Sequence, residues 1–142
     1  MPSNQPIGIF DSGFGGLTVA RAIIDLLPFE DIVYFGDTSR YPYGPQPLEE
    51  VKSYSEQISD YLIAEHDVKM IVIACNTASA AAEDDLRNST EIPIVGVITP
   101  GAQAVAEVSS TKKIGVIGTV GTINSQAYDL SLIHISEPTR RS

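Results

Sequence analysis

Apolar residues follow two rhythms along this chain. Short unbroken runs at residues 7–10, 32–35, 70–74 and 94–98 are bounded by turn residues and predict buried strands. A fifth run, 114–117, predicts another. Between the runs the spacing becomes helical. Leu17, Ala20, Ile23, Ile24 and Leu27 share a face that stops at Pro28. Leu48, Val51, Tyr54, Ile58, Tyr61 and Leu62 mark a longer helix with a polar opposite face, and an alanine-rich helix follows from about residue 76 to 87.

Strands alternating with helices imply parallel strands joined by right-handed crossovers, so the expected fold is an α/β, doubly wound parallel sheet. In such sheets ligands bind beyond the carboxyl ends of the strands. The residues to inspect are therefore Asp11-Ser12, Gly36-Asp37, Cys75-Asn76-Thr77, Thr99-Pro100 and Gly118-Thr119. Residues 131–142 break the pattern, with neither a completed helix nor a next strand expected. They are similar to a translated sequencing-adapter tail, so His134, Arg140 and Arg141 are not read as ligands.

Composition narrows the partners. The formal net charge is -9, a field that repels phosphate backbones and anionic membranes, so neither nucleic acid nor membrane is an expected partner. No run of 18 apolar residues exists and no secretory signal opens the chain. One cysteine cannot form an internal disulfide, which fits a reducing cytosol, and no His/Cys cluster suggests a metal site.

That cysteine lies in Met70-Ile-Val-Ile-Ala-Cys-Asn-Thr-Ala-Ser79, at the end of a predicted strand and the start of a helix. A helix N-terminus lowers a thiol pKa and its N–H groups bind carboxylates. Cys75 reads either as an activated thiol beside Asn76 and Thr77 or as a small buried apolar residue. Polar residues directly after it favour the first.

Asp11-Ser-Gly-Phe-Gly-Gly-Leu-Thr18 is a second strand-to-helix turn whose N–H groups favour an anion. A nucleotide-binding Rossmann-like domain is the alternative. Its third glycine is Thr18 here, although Asp37 lies roughly where a ribose-binding acid would. Asp37-Thr-Ser-Arg-Tyr-Pro-Tyr-Gly44 and Gly118-Thr-Val-Gly-Thr-Ile-Asn-Ser125 are further strand-end loops. His66 reads as a solvated residue at a helix end.

Together these segments resemble glutamate racemase. The matching stretches are Ile7-Gly-Ile-Phe-Asp-Ser-Gly-Phe-Gly-Gly-Leu-Thr-Val19, Tyr34-Phe-Gly-Asp-Thr38 with Arg40-Tyr-Pro-Tyr-Gly-Pro45, Ile73-Ala-Cys-Asn-Thr-Ala-Ser-Ala80 and Ile117-Gly-Thr-Val-Gly-Thr122. The resemblance implies interconversion of L- and D-glutamate for peptidoglycan, in the cytoplasm, without pyridoxal phosphate or any other cofactor. It implies two cysteines on opposite faces of the substrate, one from each of two similar α/β domains. Cys75 matches the first cysteine. Asp11, Ser12, Tyr43, Gly44, Asn76 and Thr77 match substrate-contacting positions. Residues 1–98 then form an incomplete first domain and 99–130 the start of a second, and the chain reads as an inactive fragment of a full-length protein for which a homodimer is one expected state. Asp11 could attract a substrate ammonium and would also oppose ionisation of Cys75.

Overall fold

The computed structural model describes residues 3–111 and 113–136. Four parallel strands form one sheet: β1 (Ile7–Asp11), β2 (Ile32–Gly36), β3 (Met70–Ile73) and β4 (Ile94–Gly96), in the order β2-β1-β3-β4. Ile9 pairs with Tyr34 on one side and Val72 on the other, and Phe10 with Phe35 and Ile73. Helices α1 (Leu17–Leu26), α2 (Leu48–His66) and α3 (Asn76–Ser89) are the crossovers.

The pleat divides the strand side chains between two layers. Phe10, Ile71, Ile73 and Ile94 pack with Val51, Ile58 and Leu62 of α2 and Ala78, Ala82 and Leu86 of α3. Ile7, Ile9, Val72 and Ala74 face the other way, onto Ala20, Val19 and Ile23 of α1. Both faces of the central strands are thus covered, which is why β1 and β3 read as unbroken apolar runs. The α/β doubly wound fold is as expected.

Helix ends follow local chemistry. Pro28 lies two residues past α1 and cannot continue it. Glu49 and Glu50 occupy the first turn of α2, where negative charge matches the helix dipole, and His66 lies in its last turn. Asp67 then turns left-handed at φ 48°. His66 is half-buried, its ring nitrogen 3.3 Å from the Tyr61 hydroxyl. Among the described residues no helix is long and apolar enough to cross a membrane.

The second half differs from expectation. The run 94–98 gives a strand only to Gly96. The Glu83 carboxylate takes the Gly96 N–H at 3.2 Å and the Ser79 hydroxyl takes that of Val97 at 3.2 Å, which ends the ladder, and Ile98 opens α4 (Ile98–Val108). Pro100 in the first turn suits a helix start. Residues 113–119 form no strand: Ile117 is fully exposed, and among the described residues the sheet ends at β4. An apolar run becomes a strand only where another strand offers it an edge.

A short α5 (Val120–Asn124) packs on α3, and α6 (Ala127–Ser136) packs on α4. The last helix therefore enters the segment expected to be irregular. Arg140 and Arg141 lie outside the described residues, as does the side chain of His134.

Candidate active site

The sheet order sets where a ligand belongs. From β1 the chain moves outward to β2, then crosses back over β1 to β3 and on to β4. The winding reverses between β1 and β3, and the crevice beyond their carboxyl ends is the usual ligand position in such folds. Asp11 is the last residue of β1, and Cys75 follows β3 as the N-cap of α3. A cleft of about 290 Å³ opens there, lined by Asp11, Gly15, Thr18, Ala74, Cys75 and Asn76, with Val19 and Val97 at its sides.

Asp11 is only 5% exposed. Its Oδ2 accepts the Gly16 N–H at 2.6 Å and lies 3.5 Å from the Tyr34 hydroxyl, which also donates to the Gly13 carbonyl at 3.2 Å. Ser12 Oγ lies 3.4 Å from the other carboxylate oxygen. The anion-binding turn expected before α1 is therefore filled by the chain's own carboxylate. Gly16 is required by closeness: a Cβ there would lie 2.8 Å from the Asp11 Cβ and 2.9 Å from that of Ala74. Tyr34 was legible only as part of a matching stretch, since its partner is 23 positions away.

Cys75 accepts the Ala78 N–H at 3.4 Å, capping α3 with sulfur, and its Sγ sits 3.9 Å from Ser12 Oγ. Two opposing effects were expected on this thiol, the helix start lowering its pKa and the Asp11 charge raising it, and the balance falls on the raising side. Burial pushes the Cys75 thiol up and the Asp11 charge adds to this, while the Ala78 N–H and Ser12 pull down without offsetting them. The resting group is a thiol.

The remaining expected residues surround this pair less directly. Asn76 is exposed at the cleft, its Oδ1 accepting the Tyr128 hydroxyl at 2.6 Å. Thr77 is buried, its hydroxyl 2.7 Å from Thr119 Oγ1 and 3.4 Å from Thr122 Oγ1. The α3 start is thus tied to α5. Gly44 meets the same turn, its carbonyl accepting the Gly121 N–H at 3.4 Å. A Cβ at Gly44 would come within 2.7 Å of Thr119. Tyr43 is 1% exposed and shares a buried cluster with Cys75, but its hydroxyl donates to Asp37 at 2.5 Å, and it does not line the cleft. Burial first, then Asp37, pushes the Tyr43 phenol far up.

Asp37 itself is 4% exposed and also bound by Arg40 Nε at 2.6 Å. It is engaged in holding its own loop, so it does not present a carboxylate to a ribose. With Asp11 in the place a pyrophosphate would take, the nucleotide-binding reading finds no support here.

Known proteins agree with this geometry. The Asp/Glu/hydantoin racemase family model matches residues 7–136. A glutamate racemase from Shouchella clausii is 54% identical over 134 residues, covering 94% of this chain and 48% of its own length. One from Corynebacterium glutamicum is 55% identical over 126 residues, covering 89% and 46%. The crystal structure of a Bacillus anthracis glutamate racemase isoform superposes with a TM-score of 0.90 at 48% identity, over 93% of this chain and 49% of that one. The Francisella tularensis glutamate racemase in complex with D-glutamate gives 0.85 at 43%, over 94% and 49%. The chain spans about half the length of the curated relatives it matches. With the family model matched over residues 7–136 and the fold superposing on solved members along nearly all of the described chain, this chain belongs to the Asp/Glu/hydantoin racemase family.

Proposed function

We propose that this chain carries one half of a glutamate racemase site, in which Cys75 exchanges the substrate's α-proton on one face without pyridoxal phosphate or metal. The observation that carries this reading is the placement of Cys75 across the β1/β3 crevice from Asp11 and Ser12. The glutamate racemases to which the chain is similar, one of them solved with D-glutamate, supply the substrate class.

In one direction the Cys75 thiolate takes the α-proton: an S–H bond forms, the Cα–H bond breaks, and the electron pair stays on the α-carbon and its carboxylate. An acid on the opposite face then donates a proton and the configuration inverts. In the other direction Cys75 is the donor, the role suited to its resting thiol. General base action contributes typically about 10²–10⁴-fold. Charge-stabilising donors and positioning must supply the rest. We place Ser12, Asn76, Thr77 and the N–H groups of the first turn of α3 around the substrate carboxylates, with the Tyr43 ring and the Gly44 backbone as walls. Asp11 is assigned to the substrate ammonium. Such pairing would offset the charge that opposes ionisation of Cys75, so substrate binding would itself ease formation of the thiolate.

The opposite face needs a second group, and this chain holds one cysteine. The reading therefore concerns the full-length protein, acting in the cytoplasm and supplying D-glutamate for peptidoglycan. Replacing Cys75 by Ala in that protein should remove racemisation in both directions. Activity within a few-fold of the parent, loss of activity to a chelator, or faster turnover of aspartate would each count against it.

A further inference from the structure

The loop that follows β2 is held by one side chain in several ways. Arg40 Nε donates to Asp37 Oδ2 at 2.6 Å, and its Nη1 donates to Gln57 of α2 at 3.1 Å. Its guanidinium lies over the ring of Tyr54, also on α2, at 4.1 Å from the centroid. The Arg40 carbonyl accepts the Gln46 amide at 2.6 Å, so the loop also closes on itself. The same Asp37 oxygen that takes Arg40 takes the hydroxyl of Tyr43. Tyr43 packs in one cluster with Cys75, and Gly44 abuts the turn that bonds Thr77.

We propose that Arg40 is a positioning residue: by pinning Asp37 to α2 it holds Tyr43 in the cluster it shares with Cys75 and Gly44 against the turn at residues 119–121, the two residues proposed above as the substrate's wall. Arg40 lines no part of the Cys75 cleft. Its effect runs through Asp37 and Tyr43. A flat, forked cation suits this post, because its plane stacks on Tyr54 while its edge donates in two fixed directions, whereas an ammonium is a compact point charge with no plane to stack. The site it shapes is the one proposed above, and the inference rests on that reading.

Three variants of the full-length protein carrying this N-terminal half test it: Arg40→Ala, Arg40→Lys and Tyr54→Leu. Losing a charge-assisted hydrogen bond and a stacked cation should raise KM for glutamate about tenfold or more, with kcat within about threefold. Arg40→Lys should recover part of this, and Tyr54→Leu, which removes only the stack, should give a smaller rise. A second readout does not use activity. With Arg40 gone and the wall released, the Tyr43 phenol should titrate near the ordinary value of about 10, measured as the ultraviolet difference between Arg40→Ala and Arg40→Ala/Tyr43→Phe. With the wall still in place, loss of the neighbouring cation would drive that phenol further up instead. Unchanged KM in Arg40→Ala with a Tyr43 that stays untitrated overturns the proposal, as does a fall in kcat alone. If Arg40→Ala does not fold, Tyr54→Leu and Arg40→Lys decide by the same two measurements. An active Cys75→Ala control would instead sink the racemase reading on which the inference stands.

Discussion

The sulfur of Cys75 lies 3.9 Å from the hydroxyl of Ser12, although 63 residues separate them along the chain. The contact spans the gap between the ends of β1 and β3, and it joins the two groups that act oppositely on the thiol: Ser12, which favours the thiolate, and Asp11 next to it, which opposes it.

Ser12→Ala should therefore raise the thiol pKa of Cys75, and Asp11→Asn should lower it. The rate of alkylation by iodoacetamide as a function of pH reports both. Shifts of the same sign in the two variants would contradict the assignment, because a hydroxyl donor and a neighbouring anion must move the thiol in opposite directions.

Gly16→Ala should destabilise the fold by about 1–3 kcal/mol, as overpacking does when no neighbour can give way. The new methyl would meet the Cβ atoms of Asp11 and Ala74 and, at 3.0 Å, the Tyr34 hydroxyl. Urea unfolding measures the loss. Asp11 must shift as well, so the alkylation profile of Cys75 should change in the same variant.

Stability should fall at alkaline pH. The thiol of Cys75 and the phenols of Tyr34 and Tyr43 are all raised by burial, that of Tyr34 to about 12, with Asp11 adding to Tyr34 and Asp37 to Tyr43. A group whose folded pKa exceeds its unfolded one contributes stability that is complete below the unfolded value and lost as pH rises through the folded one. These three should cost nothing below about pH 8 and progressively more above it, given unfolded values of about 8.5 and 10. Urea midpoints across the alkaline range test this, and Tyr43→Phe should flatten the upper part of the curve. At neutral pH that variant should lose about 1–3 kcal/mol, because Asp37 is left short of a donor.

A polypeptide of residues 1–142 should not racemise glutamate. It holds one cysteine, and inversion needs a proton taken on one face and returned on the other. Incubation with D-glutamate in D₂O, followed by optical rotation and α-deuterium content, separates the two steps. Deuterium uptake without inversion would mean that Cys75 works alone on its face. L-glutamate formed above a Cys75→Ala control would show a second base within these residues.

Much of this molecule was legible along the chain because the signals are local. Apolar runs of strand length marked all four strands among the described residues, and the 3.6-residue spacing marked α1, α2 and α3 to within a few residues at their ends. The position of Cys75 between a strand and a helix followed from the same patterns. What folding decided involves partners distant in sequence. Residues 114–117 have the composition of a strand, but pairing needs an edge, and among the described residues none is offered to them. The helix terminus after β1 looked open to an anion; it is closed because the β1/α1 turn carries Asp11 back onto the Gly16 N–H. The thiol of Cys75, placed by its neighbours in sequence at a favourable helix start, is pushed up because burial and the Asp11 charge outweigh its hydrogen bonds to Ala78 and Ser12. Position along strands and helices is written in short-range periodicity, whereas charge state, occupancy and pairing depend on what the fold brings alongside.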